Sequence, residues 1–507
     1  MRTSSRWVAL VVLCVAELLV SIDNTIVNVA LPSLARQLSA STSGLQWIVD
    51  AYTLVFTGLL LVGGHLGDRL GRRRALLVGL VGFGAVSVGA ATTDSLAGLV
   101  SARAVMGAFA ALIFPATLAI VTNIFTETRE RVAAVGIWSA VAGVAVAVGP
   151  VSGGWLLEHF SWHSVFWVNV PLAAVAVLAT VRWVPESRAP HAGGFDLGGV
   201  VLSVAGLTTL VWTVIEGPHH GWTSGASLAG FTAAAALLAL FMVHERRVVA
   251  PVLDVTLFAN RRFSAAAGAI SVAFFGLFGF IFLVTQYFQA VKGYGTLAAG
   301  VRTLPFAIVI GALSPVALQV AQRIGTTVVV TGGLVLMSGG FALASTAQAD
   351  SPFFGRIIAS MVLMAAGLAL VSGPATEAIM GALPLHQAGA GSAVNDTTRE
   401  LGGTLGVAVL GSVLASLYAS RVSDTAAALP SGVRDTVRSS VVGGLDAAAA
   451  RRDAGLADAV RQAFLAGMHD ASLVAAGATL VGAAIVAVAL PARARPAQDA
   501  PPVPLAV

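Results

Sequence analysis

Stretches of roughly 18–25 apolar residues recur along the whole chain, and nothing else in the sequence narrows the fold so far. A run of that length matches the hydrocarbon thickness of a bilayer. Inside a bilayer a backbone must satisfy its own polar groups, as a helix or in a closed barrel. Barrel strands alternate apolar and polar residues, and these runs do not. The chain of 507 residues is 57% hydrophobic and 10% charged, where a soluble domain is about 25% charged. It is therefore read as an all-α polytopic membrane protein. Fourteen spans are expected, at roughly 7–30, 45–64, 75–92, 97–121, 132–155, 162–183, 197–215, 226–243, 264–289, 297–320, 326–346, 353–381, 389–419 and 471–491.

An even number of spans puts both termini on one side. Arg2, Arg6, the cluster from Arg69 to Arg74, Arg129, Arg131, Arg182, Arg188, Arg246, Arg247, Arg261, Arg262, Arg323, Arg493 and Arg495 then share that side. The opposite short loops hold Arg36 and Lys292. A bias of about seventeen to about two marks the terminal side as cytoplasmic by the positive-inside rule. The pI near 10.1 thus reflects topology, and no nucleic-acid partner is expected. The single lysine, Lys292, belongs to no Gly-Lys-Ser/Thr triplet, so a Walker A ATPase is excluded. Cys14 is the lone cysteine, so no internal disulfide can form. Arg2 and Arg6 precede the first apolar run as in a signal peptide, but Glu17 and Asp23 interrupt that run, and it is expected to be retained as helix 1. Residues 420–470 fall on the outer side, either as short amphipathic helices capping that face or as a mobile loop. The Pro/Ala-rich tail at 492–507 is expected to be disordered and cytoplasmic.

The two halves of the chain resemble each other. Gly64-His-Leu-Gly-Asp-Arg-Leu-Gly71 aligns with Leu318-Gln-Val-Ala-Gln-Arg-Ile-Gly325, Gly44-Leu45 with Gly300-Val301, and Pro115-Ala-Thr117 with Pro374-Ala-Thr376. Two homologous six-helix bundles explain this, one over 1–190 and one over 261–491, with two inserted helices over 191–260. Repeated halves with a binding site between them are the plan of secondary transporters.

Several polar groups stand where lipid would make them costly. Asp23 lies inside helix 1 within Ile22-Asp-Asn-Thr-Ile-Val-Asn-Val-Ala-Leu-Pro32, Arg103 inside helix 4 and Asp50 inside helix 2. A charge at a helix centre costs about 2.5–3.5 kcal/mol on insertion scales. All three are placed in the outer half of the first bundle, about 9 Å down at 1.5 Å per residue, where one polar cluster can hold them. Such a cluster either couples ions or merely fixes packing. Glu17 is a second acid of helix 1, Glu377 lies near the inner end of helix 12, and helix 13 carries Asn395-Asp396-Thr-Thr-Arg399-Glu400. Asp396 and Glu400 share a face, and Arg399 is spaced to pair with Asp396. The aromatic stretch from Phe274 to Phe288 lines a cavity or faces lipid.

Three motifs resemble one family. Gly64-His-Leu-Gly-Asp68-Arg69-Leu-Gly71-Arg72-Arg73-Arg74, between helices 2 and 3, is similar to the loop signature of the major facilitator superfamily; Gln322 replaces the aspartate in the second copy. Helix 5 carries Gly136, Gly149, Pro150, Gly153 and Gly154, similar to the antiporter signature of that superfamily's drug exporters, with Ala145 at its middle glycine. The Asp23 segment and Trp162-His-Ser-Val-Phe-Trp-Val-Asn169-Val-Pro171 closely resemble signatures of the fourteen-helix drug:proton antiporters, with His163 at the usual arginine; Arg103-Ala-Val-Met-Gly107 resembles their helix 4 motif, with Met106 where glutamine is common.

The resemblance implies a major facilitator fold and a monomeric, multi-pass exporter of small amphipathic drugs or antibiotics in a bacterial plasma membrane. Export would be driven by proton antiport and alternating access. Asp23 would bind the proton or attract cationic substrates, with Arg103, Glu17, Asp50, Asp396, Glu400 and Glu377 as further coupling candidates. Gly64, Asp68, Arg69, Gly71 and Arg72 would form a conformational latch, and the helix 5 glycines a packing face. No cofactor is expected, and no metal cluster or catalytic triad is recognised, so an enzyme is not expected. A dedicated exporter of one endogenous product and a non-transporting receptor are the alternatives.

Overall fold

The computed structural model describes residues 3–188, 196–249, 251–383 and 388–491, so the tail at 492–507 lies outside the described residues. Among these, 14 helices are long and apolar enough to cross a membrane. Helices 1 to 8 span Thr3–Gln37, Thr42–Leu70, Arg72–Thr92, Leu96–Ile124, Thr128–His159, Ser164–Trp183, Leu197–His220 and Gly225–Glu245. Helices 9 to 14 span Arg261–Val291, Thr296–Ile324, Thr326–Ser345, Phe353–Gly381, Ala388–Ala427 and Ala454–Ala489.

The pairings repeat. Helices 2·4, 3·4, 1·5, 3·6, 1·6 and 1·4 pack together in the first set, and helices 10·12, 11·12, 9·13, 11·14, 9·14 and 9·12 in the second. Each helix from 1 to 6 thus keeps the neighbours of the helix eight places on. The loops that end helices 2 and 10 also correspond. Gly71 and Gly325 stand at φ 119° and 97° and donate their N–H groups to Gly67 and Ala321, a conformation that favours glycine.

Several helices differ from the expected spans. Helix 1 continues past Pro32 to Gln37. Asp23 therefore lies about 21 Å from that end at 1.5 Å per residue, near the helix midpoint rather than close to its outer end. Helix 6 breaks at Val168, and helix 10 breaks at 302–303. The segment 420–470 is helical: helix 13 runs on to Ala427, helix 14 starts at Ala454, and two cap helices, Ser431–Ser439 and Val441–Arg451, lie between. The Tyr418 hydroxyl holds them, 2.7 Å from the Val437 carbonyl and 3.2 Å from that of Ser440, over buried Val437, Val441, Val442 and Phe464. The mobile-loop alternative therefore fails.

Helix 7 lies on helices 2 and 13, with helix 8 behind it. Leu54, Val211, Val214, Ile215 and Ala408 form the buried contact. Its far tip is tied to both halves: His219 pairs with Ser43 at 3.1 Å, and the Trp222 indole donates to Ser416 at 3.2 Å. At its base, Asp196 caps helix 7 through the Gly199 N–H and receives His244 of helix 8 at 2.8 Å. Burial alone would raise the Asp196 carboxyl. The bonds from His244 and Gly199 more than offset this and hold it below its ordinary value. This contribution is complete above the ordinary carboxylate range and is lost as pH falls through the lowered value.

The two sets meet mainly at the end that carries the 37–42 loop. Gln289 donates to the Val29 carbonyl at 2.9 Å, Thr296 to the Gly154 carbonyl at 2.9 Å, Gln46 to the Ala408 carbonyl at 2.8 Å and Thr42 to the Ser439 carbonyl at 3.2 Å. Arg36 stands 3.6 Å from Asp446 of the cap. Gly300 packs on the Pro150 backbone so closely that a Cβ would strike it. If this end must open during a cycle, cysteines at positions 42 and 439, in a chain with Cys14 replaced, will be bridged by a short bis-methanethiosulfonate, which forms a disulfide to each and releases sulfinate, and transport will stop until the bridge is reduced. Unchanged transport in the cross-linked protein would show that this end stays shut.

Candidate functional site

The buried charges gather behind helix 1. Asp23 and Arg103 are both fully buried, and Arg103 Nη1 meets Asp23 Oδ2 at 2.5 Å. Arg103 Nε donates to the Ile48 carbonyl at 3.0 Å, and Asn169 donates to Asp23 Oδ1 at 2.7 Å. The guanidinium also lies over the Tyr52 ring, 4.2 Å from its centre. Helices 1, 2, 4 and 6 thus converge on one ion pair. The local reasons are readable. Arg103 is about 10 Å along helix 4 at 1.5 Å per residue, and Gly107, one turn on, lets helix 4 touch the Tyr52 backbone. The break at Val168 starts the long part of helix 6 at Asn169.

Asp50 does not join this cluster. It is fully buried, and neither of its carboxylate oxygens has a hydrogen-bond partner among the described residues. Ile48 faces Arg103, and residues two apart on a helix point to different sides. Glu17 is likewise buried and unpartnered among the described residues, and its electrostatic neighbour is Asp396 of helix 13. On helix 13, Asn395 bridges Thr376 and Asp396 at 2.9 and 3.2 Å. Arg399 donates to Thr376 at 3.1 Å and lies over Phe274. The expected ion pair with Asp396 is therefore not made. The helix 12 residue in this network, Thr376, is the repeat of Thr117, which accepts the Trp138 indole at 3.1 Å. Glu377 is exposed, with Arg262 as its electrostatic neighbour, away from the other acids.

Between the halves lies a narrow pocket, with a cavity volume of about 30 Å³ in this conformation, lined by Thr25, Asn28 and Val29 of helix 1, Val146 and Pro150 of helix 5, Phe280, Ile281, Val284 and Thr285 of helix 9, Thr303 and Phe306 of helix 10, and Met361 of helix 12. Its wall is mostly apolar with a few hydroxyls and one amide, and in this conformation it is too small to hold a drug-sized molecule. Phe280, Phe282, Tyr287 and Phe288 are buried, which corrects the lipid-facing alternative for those rings.

The family model of the Major Facilitator Superfamily matches residues 13–407. The chain belongs to that superfamily. It is 38% identical over 480 residues to the multidrug efflux pump LfrA of Mycolicibacterium smegmatis, covering 94% of each chain. It is 34% identical to the tetracenomycin C resistance and export protein of Streptomyces glaucescens, over 94% of this chain and 90% of that one. A bacterial homologue of the human lysosomal transporter Spinster superposes with a TM-score of 0.68 at 17% identity, over 97% and 98% of the two chains, and so shares the fold. This facilitator is a transporter and not an enzyme.

In this facilitator the loop between helices 2 and 3 is built around Asp68, which accepts Arg72 Nε at 2.8 Å. Arg72 also donates to the Ala119 carbonyl, and Arg73 to the Val181 carbonyl at 2.6 Å. These partners all lie within helices 2 to 6. Arg69 is exposed, and Gly63 rather than Gly64 makes the close approach, packing on the Ala111 backbone. Among the helix 5 glycines, Gly149 and Gly153 leave room for Thr25 and Ile26 of helix 1, and Gly154 for the start of helix 10. Pro150 lines the pocket. Gly136 has open space beside it, so no close packing requires it.

Two members of the charge cluster escaped sequence reasoning. Asn169 stood within the quoted helix 6 motif. Tyr52 carried no signal beyond being an aromatic in an apolar run. Breaking a buried pair costs about 3–5 kcal/mol because a charge is left uncompensated. Arg103→Gln is expected to lower thermal stability by that order, with Asp23→Asn in the same chain restoring most of the loss. Additive losses in the double variant, read by thermal unfolding in detergent, would mean that the two side chains do not act as a pair.

Proposed function

We propose that this facilitator exports amphipathic, often cationic, drugs or antibiotics in exchange for protons, by alternating access, from a cell whose cytoplasm faces both termini. The observation that carries the reading is the buried Asp23–Arg103 pair, set against helix 1 on the side away from the pocket. Helix 1 places Asp23 toward helices 4 and 6, Thr25 toward the Ala145 carbonyl of helix 5, and Asn28 on the pocket wall. One rigid helix therefore senses both a titratable pair and the substrate space. Proton uptake by Asp23 removes the charge that holds Arg103, which must then find another partner until the pair re-forms. Loss of one stable arrangement in favour of another is what a rocking motion between halves needs.

Glu17, Asp396 and Glu400 supply a second set of acids at the seam, suited to attract a cation or hold a further proton. Asp50 is a reserve acid of helix 2. Glu377, exposed and facing Arg262, is suited to the rim of the cavity. The Asp68–Arg72 loop would act as the latch, binding across the seam when the terminal end closes. The arginine bias supports the orientation. The names of similar proteins support the substrate class: one is a multidrug efflux pump, others are puromycin and methyl viologen resistance proteins. The named export of a single antibiotic by another relative favours a second reading, a dedicated exporter of one product.

Proton movement in proteoliposomes, followed with a pH-sensitive dye on adding ethidium and a panel of antibiotics, tests this. Substrate-triggered flux is expected in the native chain and at least tenfold less in Asp23→Asn, a loss of about 1.4 kcal/mol or more in coupling. Response to a single compound favours the dedicated exporter. Flux that survives the substitution moves coupling to Glu17 or the helix 13 acids.

A further inference from the structure

Tyr52 is held from every side except at its hydroxyl. Its ring lies under the Arg103 guanidinium and continues through Phe56 and Phe114 to Trp138, with ring centres 5.9, 5.9 and 5.2 Å apart. Gly107 packs on its backbone carbonyl. The side chain is fully buried, yet its hydroxyl has no hydrogen-bond partner among the described residues. A phenylalanine would fill the same space without burying an unpartnered polar group, so packing does not account for a tyrosine.

Arg103 of helix 4 lies over the ring and pairs with Asp23 of helix 1, and Glu400 of helix 13 stands one turn before Thr404, whose hydroxyl meets that of Thr53, the residue after Tyr52. Glu400 Oε2 is itself buried without a hydrogen-bond partner among the described residues. The seam is closed beside them, since the Thr404 hydroxyl lies 3.0 Å from the Thr53 hydroxyl and 3.0 Å from the Glu400 carbonyl. Tyr52 therefore stands between the ion pair of the first half and an acid of the second, with one donor that neither acid receives in this conformation.

We propose that Tyr52 is the positioning residue that links the two acids, its hydroxyl donating to whichever of Asp23 and Glu400 is ionised and within reach as the halves move. When Glu400 is a carboxylate, the O–H is committed across the seam and Arg103 alone holds Asp23. When Glu400 is protonated, the O–H returns to Asp23. The tyrosine keeps its own proton throughout. This link rests on the proton-antiport reading.

The test uses the full chain in proteoliposomes with ethidium as probe. Native protein, Tyr52→Phe, Glu400→Gln, their double variant and Asp23→Asn are compared for thermal stability, for the pH dependence of ethidium transport and for protons moved per ethidium. Tyr52→Phe is expected to unfold at the native temperature and to bind ethidium within about twofold. Its transport midpoint is expected to shift by about one pH unit, a tenfold change in proton affinity, with fewer protons moved per ethidium. In a Glu400→Gln background the same substitution is expected to add nothing. A native midpoint and ratio in Tyr52→Phe, an equal shift with and without Glu400, or failure to fold on losing one oxygen would each overturn the link. The first two leave antiport standing. Native coupling in Asp23→Asn would also overturn the link while moving antiport to the other acids, whereas no ethidium-triggered proton movement in the native chain would remove the antiport reading itself.

Discussion

The ion pair between Asp23 and Arg103 is the constraint around which the first half is arranged. A membrane interior offers neither charge any water, so each needs several partners in fixed places. Asp23 takes Arg103 and Asn169, and Arg103 takes the Ile48 carbonyl and the Tyr52 ring besides. Four helices must therefore approach one point. The small residues follow from that need: Gly107 lets helix 4 reach helix 2, and Gly149 and Gly153 let helix 5 reach helix 1 just beyond the pair. A buried ion pair is a weak source of stability compared with apolar packing of the same volume. Its persistence in so dry a place is better explained by use than by strength.

The second half repeats the helix pairings but not the charges. The equivalent of the Thr117–Trp138 contact is Thr376 with Arg399, and the acids lie on helix 13 instead of helix 1. The molecule is thus symmetric in packing and asymmetric in electrostatics, with the pocket of helices 1, 5, 9, 10 and 12 between the two kinds of half. Elements that break the repeat gather at the seam. The cap helices reach from helix 13 toward Arg36 and Thr42, and the tip of the inserted hairpin ties Ser43 to one side and Ser416 to the other. Motion between the halves has to be accommodated by these ties.

Much of this was legible in the residues. Apolar runs gave fourteen spans because lipid admits few alternatives, and the paired Gly71 and Gly325 loops marked the repeat because both need the same backbone conformation. Depth along helix 4 and a bilayer's intolerance of charge were enough to join Asp23 with Arg103. Other features depend on distances that a sequence does not carry. Asp50 has the right depth and the wrong face. Helix 1 runs past Pro32, despite the hydrogen bond a proline cannot make, because Leu31, Leu34 and Ala35 are buried on either side of it and hold the last turns by packing. The segment 420–470 is helical because Tyr418 and a buried valine set hold it, a tertiary effect on a composition that reads equally well as loop. Tyr52 looks like any aromatic until the guanidinium above it is seen.

The most direct test of the account is the pH dependence of ethidium binding to the purified protein at equilibrium, with no gradient and no transport step. If the proton and the substrate compete through Asp23, affinity will fall as pH is lowered, approaching tenfold per unit below the midpoint. In Asp23→Asn it will become flat over the same range. A native affinity independent of pH, or a pH dependence that Asp23→Asn leaves intact, would contradict it.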